Sequence, residues 1–114
     1  MRDDRERVLD IREAIENIER YAARGKQTFE SDELVQTWII HHLEIIGEAV
    51  RLLSPHLRER HRSAPWAKII GMRNILIHHY FGIDVEAVWS VVENDLPDLK
   101  RAVDDIVKEF ENAH

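Results

Sequence analysis

Residues 73 to 80 read Arg-Asn-Ile-Leu-Ile-His-His-Tyr, so a cation, an amide, two imidazoles and a phenol surround a three-residue apolar run. Arg73 carries a permanent charge on a planar fork of donors, a shape suited to phosphate. His78 can exchange a proton near neutral pH. Asn74 and Tyr80 add hydrogen-bonding groups. Cutting an RNA phosphodiester without metal needs such a set: a group to deprotonate the ribose 2′-hydroxyl, one to protonate the leaving 5′-oxygen, and positive charge over the phosphorane. On an ideal helix Arg73 and His78, five residues apart, point about 140° apart. They share a face if the helix bends, if the long arginine reaches round, or if two copies meet across a cleft and supply two histidines. The same residues also suit a blander arrangement, a helix-end arginine paired with an acid and a core tyrosine whose hydroxyl is satisfied.

The charge pattern bears on the same choice. The chain carries 16 Lys and Arg against 22 Asp and Glu, a net charge of −6 that disfavours nucleic acid. Between Arg51 and Gly82, however, Arg51, Arg58, Arg60, Arg62, Lys68 and Arg73 face the single acid Glu59. One sign of charge gathered in one segment suits an anionic partner such as phosphate, with Lys68 a candidate RNA contact. A connector that balances an acidic neighbour would give the same count.

Other chemistries are harder to support. The chain has no cysteine, which removes disulfides, thiolate metal sites and cysteine nucleophiles. Adjacent imidazoles, as in His41-His42 and His78-His79, point about 100° apart on a helix and cannot chelate as a pair. No His-Glu-x-x-His is present, so neither a metal nor another cofactor is expected. Glu44 and Glu48, four residues apart, share a helix face and are expected to be solvated or to pair with cations. Glu48, beside Gly47, is also placed to orient Arg73 from a neighbouring helix. Trp38, Trp66 and Trp89 all fall on apolar stripes and are expected as core or dimer contacts. Met1 leads into Arg2-Asp3-Asp4 with no apolar run, and the longest apolar runs are three residues, so the expectation is a cytoplasmic chain without membrane contact.

The elements that must position these groups are helical. A chain of 114 residues with 4 Gly and 3 Pro holds one domain, residues 1–114, and is poor in turn formers. Val8, Ile11, Ile15, Ile18 and Ala22 form one amphipathic stripe, closed by Arg24-Gly25. A second helix opens at Ser31 or Asp32, with Val35, Trp38, Ile39, His42, Ile45, Ile46, Ala49 and Leu53 inward, and closes at Ser54-Pro55. Gly47 within it marks close approach by a neighbour. A basic connector with room for one helical turn leads to a third helix opening at Pro65, with Trp66, Ile69, Ile70, Leu76 and Ile77 on its apolar side. Asp84 caps a fourth, in which Pro97 kinks or divides the register near Asp95. The expected architecture is all-α, an antiparallel bundle of four or five helices whose wide stripes favour a homodimer.

The segment Arg73-Asn74-Ile75-Leu76-Ile77-His78-His79-Tyr80 resembles the R-N-x3-H-x-Y signature of HepT-like proteins, ribonuclease toxins of the HEPN (higher eukaryotes and prokaryotes nucleotide-binding) superfamily. Leu43 to Ala49 is similar to the family's second helix, Pro65 to Met72 to the approach to the signature, and Arg7 to Glu16 to its opening helix. The resemblance implies a dimeric HEPN-like bundle that cuts RNA without metal in a cleft where two signatures meet. Arg73 and His78 then take the catalytic places, with Asn74 and Tyr80 in support. It further implies a toxin–antitoxin pair, in which a minimal nucleotidyltransferase antitoxin attaches AMP to Tyr80. Each added phosphodiester would bring negative charge and bulk beside the cationic site and so repel RNA. His79 departs from the pattern, since many members carry a small residue there; a second imidazole would narrow the cleft or carry a proton itself. Two other functions fit the residues, a HEPN-type nucleotide-binding or nucleotidyltransferase-partner module without cleavage, and a structural helical dimer.

Overall fold

Apolar residues at three- and four-residue intervals give this chain helices with one buried stripe each, and short polar links let them fold back on one another. The computed structural model describes residues 3–77 and 84–112, apart from the side chains of residues 73–75 and 77. Its elements are α1 (Asp4–Ala22), α2 (Lys26–Ser31), α3 (Glu33–Leu52), α4 (Pro55–Arg60), α5 (Trp66–Ile77), α6 (Val85–Ser90), a π-helical turn (Val91–Asp95) and α7 (Leu96–Asn112). The last three run on without a break, so the described residues form six helical rods and no strand.

Local chemistry fixes the starts. Asp3 caps α1 by accepting from the Glu6 amide at 2.9 Å. Asp32 caps α3 by accepting from Leu34 and Val35, and Asp84 caps α6 by accepting from Ala87. Asp32 thus takes the cap that the sequence offered equally to Ser31, whose hydroxyl instead bonds back to the Gln27 carbonyl inside α2. Gly25, with φ of 96°, makes the left-handed turn between α1 and α2. That turn is followed by a short helix rather than a loop, because Phe29 on α2 has a core to enter. The basic connector does contain its helical turn, α4, opened by Ser54 and Pro55.

Pro97 has the effect expected of a residue without an amide hydrogen. Ahead of it the helix widens, and the Leu96 amide bonds to the Val91 carbonyl five residues back. The interruption is a π turn ending at Asp95, and the inward stripe continues through Leu96, Leu99, Val103 and Ile106.

The core forms where α1 lies along α3, with α5 on another side of α3 and α7 across α1. Ile11, Ile15 and Ile18 meet Ile39, Leu43 and Ile46 there, all of them buried. Ile45, counted with the inward stripe of α3 from sequence, is instead 37% exposed, while Leu43 and Val50 are buried. The buried face of α3 is therefore rotated from the one read off the sequence, and Gly47 lies on it.

One polar contact ties the start of the chain to its middle. The Asp4 carboxylate accepts from the Ser54 amide at 3.0 Å and from its hydroxyl at 2.7 Å, while the same hydroxyl accepts from the Leu57 amide. Asp4 thereby holds the α3–α4 corner against α1. Asp4→Ala should cost about 1.5 kcal/mol, lowering the thermal midpoint by about 5 °C with helix content unchanged, as read by circular dichroism.

Candidate functional site

The first half of the signature segment, through Ile77, is carried by α5. The connector is anchored to the start of this helix by the Trp66 indole, which donates to the His61 carbonyl at 2.9 Å. Trp66, Ile69 and Met72 are buried. Helical count sets Arg73 on the stripe of Trp66, Ile69 and Leu76, so the backbone brings a cation to a position in the packing register. Arg73 and Asn74 stand at the C-terminal end of the helix, whose last residue is Ile77. Their side chains, and His78, His79 and Tyr80 entirely, lie outside the described residues, and with them the pairing of Arg73 with His78.

The neighbouring candidates can be placed. Lys68 extends its ammonium to Asp95 at 3.2 Å, its own side chain 70% exposed and the carboxylate 9%. Sequence reasoning did not single out Asp95; the signal was an acid two residues before a proline that interrupts the helix. Its position in the π turn places it against α5, and Lys68 compensates its charge. Glu48, proposed to orient Arg73, binds Arg51 through both oxygens at 2.7 and 3.4 Å. Its reach toward the Arg73 side chain lies outside what is described.

The basic segment is largely neutralised. Arg51 pairs with Glu48, Arg60 with Glu109, Arg62 with Glu59 and Lys68 with Asp95. Three of these four acids come from outside the segment, so its excess of cations balances acids on α3, the π turn and α7. Arg58 is partly buried, and its Nε has no hydrogen-bond partner among the described residues.

The paired histidines of α3 resolve into one core and one surface residue. His42 is buried, its Nδ1 donates to the Trp38 carbonyl at 2.8 Å, and its ring lies 4.5 Å from that of Trp38. His41 is exposed. No group of three potential metal ligands occurs among the described residues, and no helix among them is long and apolar enough to cross a membrane. Trp66 and Trp89 are core residues, Trp89 stacking on Phe29 and donating to Glu93. Trp38 is only half-buried. It donates to the Asn17 carbonyl of α1 and lines an open groove of about 520 Å³ with Tyr21, Arg24, Leu34 and His41.

Comparison with known proteins adds to this geometry. A family model described as "Ribonuclease HepT-like" matches residues 11–106, a span that includes the whole signature segment. The chain is 39% identical over 100 residues to the "Probable ribonuclease HepT" of Thermococcus cleftensis, covering 87% of this chain and 91% of that one. It is 42% identical over 76 residues to a "Putative RNase" of Methanocaldococcus jannaschii, covering 67% of this chain and 70% of that one. A third relative, the "Gamma-glutamylcyclotransferase and putative RNase" of the same organism, is 38% identical over 102 residues; the match takes in 89% of this chain but only 46% of that protein. No solved structure matches the chain.

The acid on α7 that pairs with the basic segment titrates with a definite direction. Glu109 on α7 accepts from His61 at 3.0 Å and from Arg60 at 2.8 Å. The His61 hydrogen bond chiefly, with Arg60 adding to it, holds the carboxyl below its ordinary value of 4.5. A carboxyl depressed on folding stabilises the folded chain above its unfolded pKa, and that contribution disappears as pH falls through the folded value. Glu109→Gln should therefore lower the melting temperature slightly at pH 7. Between pH 5 and 3, the variant should lose less stability than the parent, as measured by thermal melts across that range.

Proposed function

Since the chain belongs to the HepT-like ribonuclease family, we propose that it is a metal-independent endoribonuclease in which Arg73 and His78 of two copies act on one RNA phosphate. The observation that carries this reading is the family match across an α5 whose C-terminal end bears Arg73 and Asn74 and leads directly into His78. In the reaction, one imidazole takes the proton of the ribose 2′-hydroxyl as that oxygen attacks phosphorus. The Arg73 guanidinium stabilises the charge on the phosphorane. A second imidazole, from the other copy, protonates the departing 5′-oxygen, leaving a 2′,3′-cyclic phosphate and a free 5′-hydroxyl. Asn74 and Tyr80 hold the phosphate and ribose by hydrogen bonds. RNA cleavage in the presence of a chelator should fall at least about 100-fold in both Arg73→Ala and His78→Ala, with unchanged circular dichroism. If the parent binds nucleotide but cuts no RNA, the chain is a binding module instead. The pairing of Arg51, Arg60, Arg62 and Lys68 with acids favours that second reading, because paired cations grip phosphate weakly.

The same reading makes the chain the toxin of a toxin–antitoxin pair, silenced by a nucleotidyltransferase that transfers AMP to the Tyr80 hydroxyl. The phenolic oxygen attacks the α-phosphorus of ATP, and pyrophosphate leaves. Tyr80→Phe lacks the accepting oxygen. Its growth inhibition should therefore persist beside an active nucleotidyltransferase that silences the parent, as read by colony counts on co-expression. Silencing of both proteins alike would mean that binding, and not modification, is responsible.

A further inference from the structure

The groove beside Trp38 is a feature that the catalytic reading does not use. It lies between the end of α1 and the first half of α3, and its volume of about 520 Å³ is within the range of small-molecule sites. Two aromatic rings line it. Those of Tyr21 and Trp38 lie 5.2 Å apart at an angle of 58°, and the Trp38 indole is held by its bond to the Asn17 carbonyl. Leu34, 81% exposed, stands one helical turn before Trp38 on α3, and His41 stands one turn after it. These positions span about 10 Å of helix, room for one base and its sugar.

Polar groups in the lining are left without protein partners. The Arg24 guanidinium lies 4.7 Å from the centre of the Tyr21 ring and makes no ion pair among the described residues. Neither the Tyr21 hydroxyl nor the exposed His41 imidazole has a hydrogen-bond partner among them. Asp32, the acid in the lining, is engaged, since one of its carboxylate oxygens accepts from the Leu34 and Val35 amides. Aromatic faces bordered by a cation, a phenol and an imidazole match a flat ligand that carries an anion. An aliphatic side chain of a protein partner would leave all three polar groups unsatisfied.

We propose that this groove takes one unpaired base of a single-stranded RNA, stacked against Trp38 and Tyr21, with Arg24 on the adjoining phosphate. The proposal takes its ligand class from the ribonuclease reading, on which it rests, and adds a place where the strand is held. The groove is open, so a strand can run on past the bound base in both directions. A base inside a duplex has no free face to stack, so the subsite selects single strands.

An oligodeoxyadenylate of about ten residues tests this without cleavage, because it lacks the 2′-hydroxyl that attacks phosphorus. Trp66 and Trp89 are buried, so quenching of indole emission reports Trp38. The single strand should quench the parent, and the same strand annealed to its complement should not. Trp38→Phe should keep the affinity within about threefold and lose the quenching. Arg24→Gln should weaken binding about fivefold and reduce the slope of log affinity on log salt by about 0.7, the loss of one phosphate contact, with an unchanged melting temperature. Equal quenching by the duplex, quenching that persists in Trp38→Phe, or an unchanged salt slope in Arg24→Gln would overturn the proposal. So would adenosine monophosphate bound as tightly as the strand, which would assign the groove to a free nucleotide. A chain whose Trp38 is quenched as described but which cuts no RNA fails the catalytic proposal and leaves this one standing; a chain that cuts RNA and shows no quenching fails this one alone.

Discussion

The contact of α1 with α3 is the constraint on which the rest of the bundle is built. Ile11, Ile15 and Ile18 interlock with Ile39, Leu43 and Ile46 so completely that almost no surface of the six remains exposed. The helices α2 and α5 pack on α3, and α7 packs on α1. The Trp38–Asn17 hydrogen bond fixes one helix against the other, and Asp4 fastens the start of α1 to the corner where α3 ends. Since α5 packs on α3, the position of the backbone at Arg73 and Asn74 depends on a contact between two helices that carry neither residue.

Much of this arrangement was legible because helices buried on one face must repeat their apolar residues. The stripes of α1 and α7, the caps at Asp32 and Asp84 and the effect of Pro97 all follow from periodicity and from single-residue chemistry. What sequence could not fix was rotation. Ile45 and Leu43 lie within one turn of each other on α3, and which of them is buried depends on how the neighbouring helices are placed around it. The pairing within the basic segment was hidden for a similar reason. Glu109 and Asp95 are far from Arg60 and Lys68 along the chain, and only the return of the last helix brings them together.

The candidate site was legible to a different degree. Arg73 stands out as a permanent cation five residues before an imidazole, beside a three-residue apolar run. The resemblance to HepT-like proteins rests on the spacing of Arg73, Asn74, His78 and Tyr80, which no argument from burial could supply. Asp95 was missed because its inward direction depends on the wider turn that precedes Pro97. Its burial beside Lys68 also changes the role of that lysine, whose ammonium is engaged by the fold.

Several ion pairs connect helices far apart in the chain: Lys100 reaches Glu19, Lys26 reaches Glu86 and Arg60 reaches Glu109. Charged groups give up their hydration more readily as water warms, whereas the gain from burying aliphatic surface levels off. The bundle thus has cross-braces whose relative contribution grows in the range where a core alone begins to fail. Raised ionic strength would weaken these braces first, leaving the α1–α3 contact nearly untouched.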